Sequence, residues 1–175
     1  YGIYDSARNH GLVVVGISHE TAQFAVAAIR RWWLRVGRVT YPQAEQLLIQ
    51  ADAGGANSSR SWLWKLAVQD FADEFDLSIT VTHYPTSASK WNLIEHRLFS
   101  FITLNWAGQP LISYETVLKF IRTTKTENGL RVMAYLDTRF YATKLKVSRE
   151  QKASINLIRH RTLPQWNYTI KPRKK

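Results

Sequence analysis

The hydrophobic and polar positions along the chain switch between a two-residue and a three- to four-residue period. Two β-rich runs, YGIYD at 1–5 and GLVVVGIS at 11–18, flank the polar stretch SARNH, which predicts an antiparallel hairpin. From Glu20 to Val36 the apolar residues recur at helical spacing, and Gly37 is a typical residue to end that helix. The chain is therefore predicted to open with a hairpin followed by an amphipathic helix.

Strands and helices alternate after this opening. The predicted strands are AEQLLIQAD at 44–52, LSITVTHYP at 77–85 and two basic sections at 130–136 and 139–147; the predicted helices are 60–75, 90–106, 114–126 and 150–159. An antiparallel start followed by alternating strands and helices predicts an α/β domain with a mixed sheet.

Length and charge limit the number of domains and the class of partner. A chain of 175 residues is most simply one domain, and the break at 108–110 is too weak to divide it. Lys and Arg number 24 against 13 Asp and Glu, and the resulting charge of +11 favours a polyanionic partner, nucleic acid or an anionic membrane face. Residues 137–175 alone contain eleven Lys or Arg and two acids. This segment is either a solvated arm or a DNA-contacting surface.

Several classes of site are excluded or unsupported. The chain has no cysteine, which excludes disulfides and cysteine-ligated zinc. Asn, Gln, Gly and Pro interrupt the longest uncharged stretch, so we expect no membrane span. Neither a Walker loop nor a Gly-x-Ser-x-Gly elbow is present. Because the chain begins at Tyr1 within a predicted strand, we expect it to be a piece of a longer protein.

Two acids are candidates for chemistry. Asp52 ends an apolar strand and is followed by Gly54 and Gly55, so it is either a turn residue or a metal ligand at the end of a strand where α/β sheets bind ligands. Glu95 lies among apolar neighbours on a predicted helix. It is either an incidental helix acid or a carboxylate at the edge of the core whose burial a metal ion would offset.

The two carboxylates would suit phosphodiester chemistry if the fold brings them together. Magnesium ions in such sites bind through a few carboxylates and the substrate phosphates, and two ions stabilise the attacking and leaving oxygens. The glycines after Asp52 would let the backbone and a phosphate approach closely. The residues alone leave both the structural and the catalytic interpretation open.

An ordered set of motifs covers nearly the whole chain: YGIYD, TAQFAVAAIRRWW, LLIQADAGGANSSRSWLWK, SASKWNLIEHRLFSFITLNWAGQPLISYETV and WNYTI. Together they resemble the DDE-type insertion-sequence transposases of the Rhodopirellula transposase family. The SKWN-IEHRLFS run with ADxGG upstream is the most specific part of this resemblance.

The resemblance implies a ribonuclease H-like fold, a mixed sheet flanked by helices. It also implies that the first strand is missing, that residues 1–107 form the core and that residues 108–175 form a basic C-terminal extension. Family members cut and join DNA with an Asp-Asp-Glu metal site, in which Asp52 matches the second aspartate and Glu95 the closing glutamate. The implied cofactors are two Mg²⁺ or Mn²⁺ ions. The residues implied to contact DNA are Lys90, Asn92, His96, Asn57 and Arg60.

Two departures from the family pattern affect the expected activity. The family's first aspartate belongs to a strand that should precede Tyr1, and Glu20 stands where the family usually has an aspartate. We therefore expect a truncated or decayed copy with little activity. The expected partners are transposon-end and target DNA, with a homo-oligomer as a further candidate, in the bacterial cytoplasm. The alternative is a basic nucleic-acid-binding module without catalysis.

Overall fold

The computed structural model describes residues 1–85 and 87–173. Its strands are β1 Gly2–Asp5, β2 His10–Gly16, β3 Gln46–Ala51, β4 Ser78–His83, β5 Arg131–Asp137, β6 Leu157–Arg159 and β7 Asn167–Ile170. Its helices are α1 Ala22–Trp32, α2 Arg38–Thr40, α3 Trp62–Phe75, α4 Ser100–Asn105, α5 Tyr114–Thr123 and α6 Arg149–Ala153. π-helical turns at Trp33–Gly37 and Glu95–Phe99 follow α1 and precede α4.

The strands form two mixed sheets. In the first, of order β1-β2-β5, β1 is antiparallel and β5 parallel to β2. In the second, of order β3-β4-β7-β6, β3 is parallel to β4 and β7 is antiparallel to both β4 and β6. The predicted α/β fold, with mixed sheets flanked by helices, is confirmed. β1 and β3 are each at the edge of their sheet.

The hydrophobic core is divided by the first sheet. Leu12 and Val14 of β2 pack with α1, α3 and the second sheet, whereas Val13 packs on the other face with Leu98 and helix α5. This alternation follows from the period of two along a strand. Because β2 is buried on both faces, its sequence GLVVVG is a continuous apolar run.

Side chains fix where the helices begin. The Thr21 hydroxyl accepts a hydrogen bond from the backbone of Phe24, and the Ser61 hydroxyl accepts one from the backbone of Trp64. These caps satisfy N–H groups that lack a partner within the helix. Thr21 and Ser61 therefore fix the first turns of α1 and α3.

The C-terminal third differs from the prediction. Residues 139–147, predicted as a strand, have no regular structure, and the predicted helix 150–159 is the short helix α6 followed by β6. Strand β7 was not predicted as an element. The Asp137 carboxylate accepts hydrogen bonds from the Arg139 backbone and the Tyr141 hydroxyl, and these contacts end β5. The 139–147 prediction was wrong because local side-chain contacts replaced strand pairing.

The segment after residue 108 is joined to both sheets. β5 pairs with β2 over seven residues, and Tyr168 and Ile170 of β7 are completely buried. Near the C-terminus the Arg173 backbone and side chain donate to the Asp73 carboxylate, both at 2.7 Å. The basic segment is thus anchored up to Arg173; Lys174 and Lys175 lie outside the described residues. In the part of the chain described, no helix has the length and apolarity to cross a bilayer.

Candidate active site

Asp52 follows β3 directly and its side chain is exposed. The Asn57 side-chain amide donates to Asp52 Oδ1 at 2.7 Å and to the Asp52 backbone carbonyl at 3.1 Å. Asn57 is itself buried at the turn Gly55–Asn57. The amide therefore orients one carboxylate oxygen while the carboxylate stays accessible to solvent.

A chain of buried hydrogen bonds fixes the Asp52 backbone. His83 Nδ1 donates to the Asp52 carbonyl at 2.9 Å, because a carbonyl oxygen can only accept. His83 Nε2 then accepts from the Tyr168 hydroxyl at 2.9 Å, and that hydroxyl accepts from Trp64 Nε1 at 2.9 Å. Burial lowers the pKa of His83, which agrees with a neutral ring in this arrangement. His83 is a structural residue rather than a metal ligand here.

The loop after Asp52 has a defined conformation. Gly55 has φ +59°, a left-handed conformation that favours glycine, whereas a Cβ atom on Gly54 would meet no described atom within 4 Å. Lys65 is buried, and its ammonium group donates to the Ser59 carbonyl. Burial lowers the pKa of Lys65 to about 8. Arg60, predicted to contact DNA, is exposed at the end of this loop.

Glu95 lies at the start of the π-helical turn Glu95–Phe99 and is exposed. The expectation that its carboxylate is held at the edge of the core is wrong, since Leu98 and Ile102 supply the buried face. A π-helical turn is wider than an α-helical turn, so residues three apart no longer align on one face. The exposed Glu95 carboxylate is open to solvent, as is that of Asp52.

The other predicted DNA contacts lie around the start of this helix. Lys90 is exposed, and the exposed His96 donates from Nε2 to the Lys90 carbonyl at 2.9 Å. Asn92 is buried, and its carbonyl accepts from the Glu95 backbone at 3.2 Å. Asn92 therefore shapes the helix start, whereas the exposed side chains of Lys90 and His96 can reach a ligand.

Residues that precede each of the two candidate acids line one cavity. The cavity has a volume of about 460 Å³, and Gln50, two residues before Asp52, lines it together with Leu93 and Ile94, which directly precede Glu95. Tyr1 and Tyr84 line it as well. The fold thus brings the segment before Asp52 and the segment before Glu95 to the same cavity.

The structure also shows functional candidates that the sequence prediction missed. Burial raises the pKa of the Tyr1 phenol, and the charges of Asp52 and Glu20 raise it further. Glu20 Oε1 lies 4.0 Å from the position that a Cβ atom on Gly55 would take. Glu20 is thus a second acid beside the Asp52 loop, and only its place before TAQFA could have indicated this. Trp91 is 69% exposed, with the Lys90 ammonium 5.5 Å from its ring centroid.

The carboxylate oxygens of Asp52 and Glu95 are of the kind that a hard divalent cation prefers. Mg²⁺ prefers carboxylate oxygens and keeps several waters, and the carboxylates of Asp52 and Glu95 are both exposed. Across residues 1–85 and 87–173, no group of three or more His, Cys, Asp or Glu side chains is placed to hold a metal ion. The chemistry of the available residues fits magnesium, but these residues do not complete a site of three such ligands.

The comparison with protein families agrees with the sequence motifs around Asp52 and Glu95. Residues 1–172 match the family model described as Rhodopirellula transposase DDE domain. No curated protein and no solved structure matches the chain. The matched span includes Asp52, the loop after it and the helix that bears Glu95. The chain therefore belongs to the Rhodopirellula transposase DDE domain family.

Proposed function

We propose that this chain is the catalytic part of a transposase that cuts and joins the DNA of an insertion sequence, with Asp52 and Glu95 as metal ligands. The family match supports a role in transposition. The observation that carries the proposal is the Asp52 carboxylate, which Asn57 orients from the side while His83 fixes its backbone.

Asp52 and Glu95 would hold Mg²⁺ or Mn²⁺, with two ions expected in an intact site. Bound ions of this kind polarise phosphate oxygens and lower the pKa of a bound water. Asn57 keeps one oxygen of Asp52 in a fixed direction, and the left-handed backbone at Gly55 leaves the loop without side-chain bulk. Water would attack the phosphodiester and break its P–O3′ bond, leaving a 5′ phosphate and a free 3′ hydroxyl. That hydroxyl would then attack a phosphodiester of the target DNA and displace the target's own 3′ hydroxyl.

The exposed residues around Glu95 and Asp52 are the proposed DNA contacts. Lys90, His96 and Arg60 would contact the phosphates, because their side chains are exposed and cationic or able to donate. Trp91 would stack on a base, since its exposed ring is accompanied by the Lys90 ammonium. Asn57 acts by positioning the Asp52 loop, whereas the buried Asn92 is not among the exposed contacts.

We expect the chain as it stands to have little catalytic activity. A misplacement of a reacting group by about 1 Å can cost on the order of 100-fold in rate, and a missing ligand should cost more. Glu20 lies beside the Asp52 loop, but with Asp52 and Glu95 it does not form a group of three metal ligands among the described residues.

A nucleic-acid-binding module without catalysis is the second candidate. The net charge of +11 favours it, as does the lack of a complete three-ligand group in the described part of the chain. The two candidates differ in the role of Asp52. Only the catalytic candidate requires Asp52 and Glu95 to bind a metal ion.

Manganese binding separates the two candidates. We would titrate Mn²⁺ into the chain and follow the free ion by electron paramagnetic resonance. Asp52→Asn and Glu95→Gln should each weaken Mn²⁺ binding by about 10-fold or more, because each removes a charged ligand. Asp76→Asn and Glu127→Gln, the same changes at exposed positions away from the site, should have no effect. Equal Mn²⁺ affinity in the native chain and all four variants would leave only the nucleic-acid-binding module without catalysis.

A further inference from the structure

A cluster of positively charged side chains lies where α3, α6 and β6 come together. The Lys65 ammonium is 5.3 Å from the ring centroid of Trp62, and the Lys152 ammonium is 5.7 Å from the same centroid. Trp62 and Lys65 are neighbours on the surface of α3 because they are three residues apart, whereas Lys152 comes from α6. The Trp62 ring thus holds two ammonium groups through cation–π contacts.

Arg159 of β6 adds a third positive charge. It pairs with Tyr168 of β7, and directly opposed residues of two strands lie on the same face of the sheet. This face is directed towards α3, because the Tyr168 hydroxyl accepts a hydrogen bond from Trp64 and the Lys65 ammonium is 5.3 Å from the Tyr168 ring centroid. Arg159 and Lys65 are therefore both neighbours of the Tyr168 side chain.

No carboxylate forms an ion pair with these three groups in the part of the chain that the structure describes. The ion pairs found there involve other basic residues, Arg30, Arg139 and Arg173. Burial, followed by the charge of Arg159, lowers the pKa of Lys65 to about 8. Since like charges repel each other, such a cluster would be stabilised by a bound anion.

The positions of the cluster side chains are fixed by local contacts. The Arg159 guanidinium donates to the Pro164 carbonyl at 3.1 Å, across the turn between β6 and β7. Ser148 and Gln151 form a capping box that fixes the start of α6, and hence the position of Lys152. Side chains held in this way lose little further conformational freedom when they bind a ligand.

The cluster adjoins the loop that follows Asp52. The Lys65 ammonium donates to the carbonyl of Ser59, which belongs to that loop. The Tyr168 hydroxyl bonds to His83, which in turn bonds to the Asp52 carbonyl. The cluster is therefore connected to Asp52 both along the chain and through side-chain hydrogen bonds.

We propose that Trp62, Lys65, Lys152 and Arg159 form a site for the phosphates of a DNA backbone, separate from the contacts around Glu95. Exposed Arg159 and half-buried Lys152 would contact the phosphate oxygens, whereas buried Lys65 and Trp62 act as positioning residues. DNA is favoured over an anionic membrane because the cluster adjoins the Asp52 loop. The inference rests on the proposed action on DNA and adds a second surface for it.

The test is the salt dependence of binding to duplex DNA, followed by fluorescence anisotropy. Lys152→Gln combined with Arg159→Gln should reduce the slope of log affinity against log salt by about 2, because each lost phosphate contact lowers it by about 1. Lys119→Gln combined with Arg131→Gln removes the same charge at exposed positions of α5 and β5, and should keep the native slope. A native slope in the first variant, or the same reduction in both variants, would overturn the inference.

A charge-conserving variant separates charge from structure. Lys152→Arg combined with Arg159→Lys keeps both charges and should retain the native slope. A reduced slope in this variant would overturn the inference, because the loss would then come from the β6–β7 turn that Arg159 holds.

Two further outcomes would count against the site. Variants that bind DNA with the native slope, but bind inorganic phosphate or phosphatidylserine vesicles more weakly than the native chain, would overturn the assignment to DNA. A native chain whose DNA binding does not depend on salt would overturn the proposed function together with this inference. Equal slopes around a salt-dependent native chain would overturn this inference alone.

Discussion

At the scale of single residues, a neutral His83 accounts for the hydrogen bonds at the Asp52 backbone. The Asp52 carbonyl can only accept, so His83 carries a proton on Nδ1, and in the neutral ring Nε2 accepts from the Tyr168 hydroxyl, which accepts from Trp64. Burial lowers the pKa of His83 and so favours this neutral ring. The position of Asp52 is thus coupled to a neutral His83.

This coupling predicts a pH dependence of stability. Because burial lowers the folded-state pKa of His83 below its ordinary value of about 6.5, the unfolded chain binds the proton more readily. The stabilisation is complete above about pH 6.5 and is lost as the pH falls towards the folded-state pKa. The free energy of unfolding, measured in urea from about pH 7.5 to 5, should fall more steeply for the native chain than for His83→Gln.

His19→Gln is the control, because His19 is exposed and its loss should leave the native pH dependence intact. NMR of the imidazole nitrogens would report the tautomer directly. Equal slopes for the native chain and His83→Gln, or a His83 ring protonated at Nε2 alone, would contradict the proposed hydrogen-bond chain.

At the scale of elements, the sequence predicted those strands and helices whose pattern is local. β3 and β4 were found because each has an apolar run with a clear end, and α1 because its apolar period persists for several turns. β7 was missed because it has only four residues and its strand partner β4 is distant in sequence. The exposed position of Glu95 was missed because no local signal indicates a π-helical turn.

The residues of the site, like the elements, were predicted only where a local motif indicates them. ADxGG and SKWN-IEH indicated Asp52, Glu95 and Asn57, and the structure shows the bond between Asn57 and Asp52. The roles of His83 and Tyr168 could not be predicted, since they depend on β4 and β7 pairing side by side. Residues that act through distant strand pairing leave no pattern along a single sequence.

The pairing of β5 and β7 predicts that residues 1–107 do not fold alone. Removing residues 108–175 would expose the β2 and β4 edges and remove the completely buried Tyr168 and Ile170. We expect the 1–107 chain to show no cooperative thermal transition by circular dichroism. A chain of residues 1–173 is the control and should unfold like the full chain. A cooperative transition in the 1–107 chain would show that residues 108–175 are a separate extension.

At the scale of the whole molecule, the fold combines a large positive net charge with the candidate metal ligands Asp52 and Glu95. The chain carries +11, and eleven of its 24 Lys and Arg residues lie in 137–175, the segment that begins at the end of β5 and contains α6, β6 and β7. Arg173 of this basic segment is bonded to Asp73, and β6 and β7 pair within the second sheet. The segment is therefore anchored to the fold at both sides of its irregular part.

DNA binding should accordingly be strongly salt-dependent. If six to ten phosphates are contacted, affinity for duplex DNA should fall by roughly 10³ to 10⁵ between about 50 and 200 mM salt, measured by fluorescence anisotropy. Lys90→Gln should reduce the slope of log affinity against log salt by about 1. A flat salt response would contradict both the catalytic and the non-catalytic proposal.

We propose that Asp52 and Glu95 share a metal ion, and an anomalous difference map from crystals grown with Mn²⁺ tests this. We predict a peak within coordination distance of both carboxylates, and its loss in Asp52→Asn. Carboxylates that point to different faces of the molecule, or manganese bound only elsewhere, would contradict the claim.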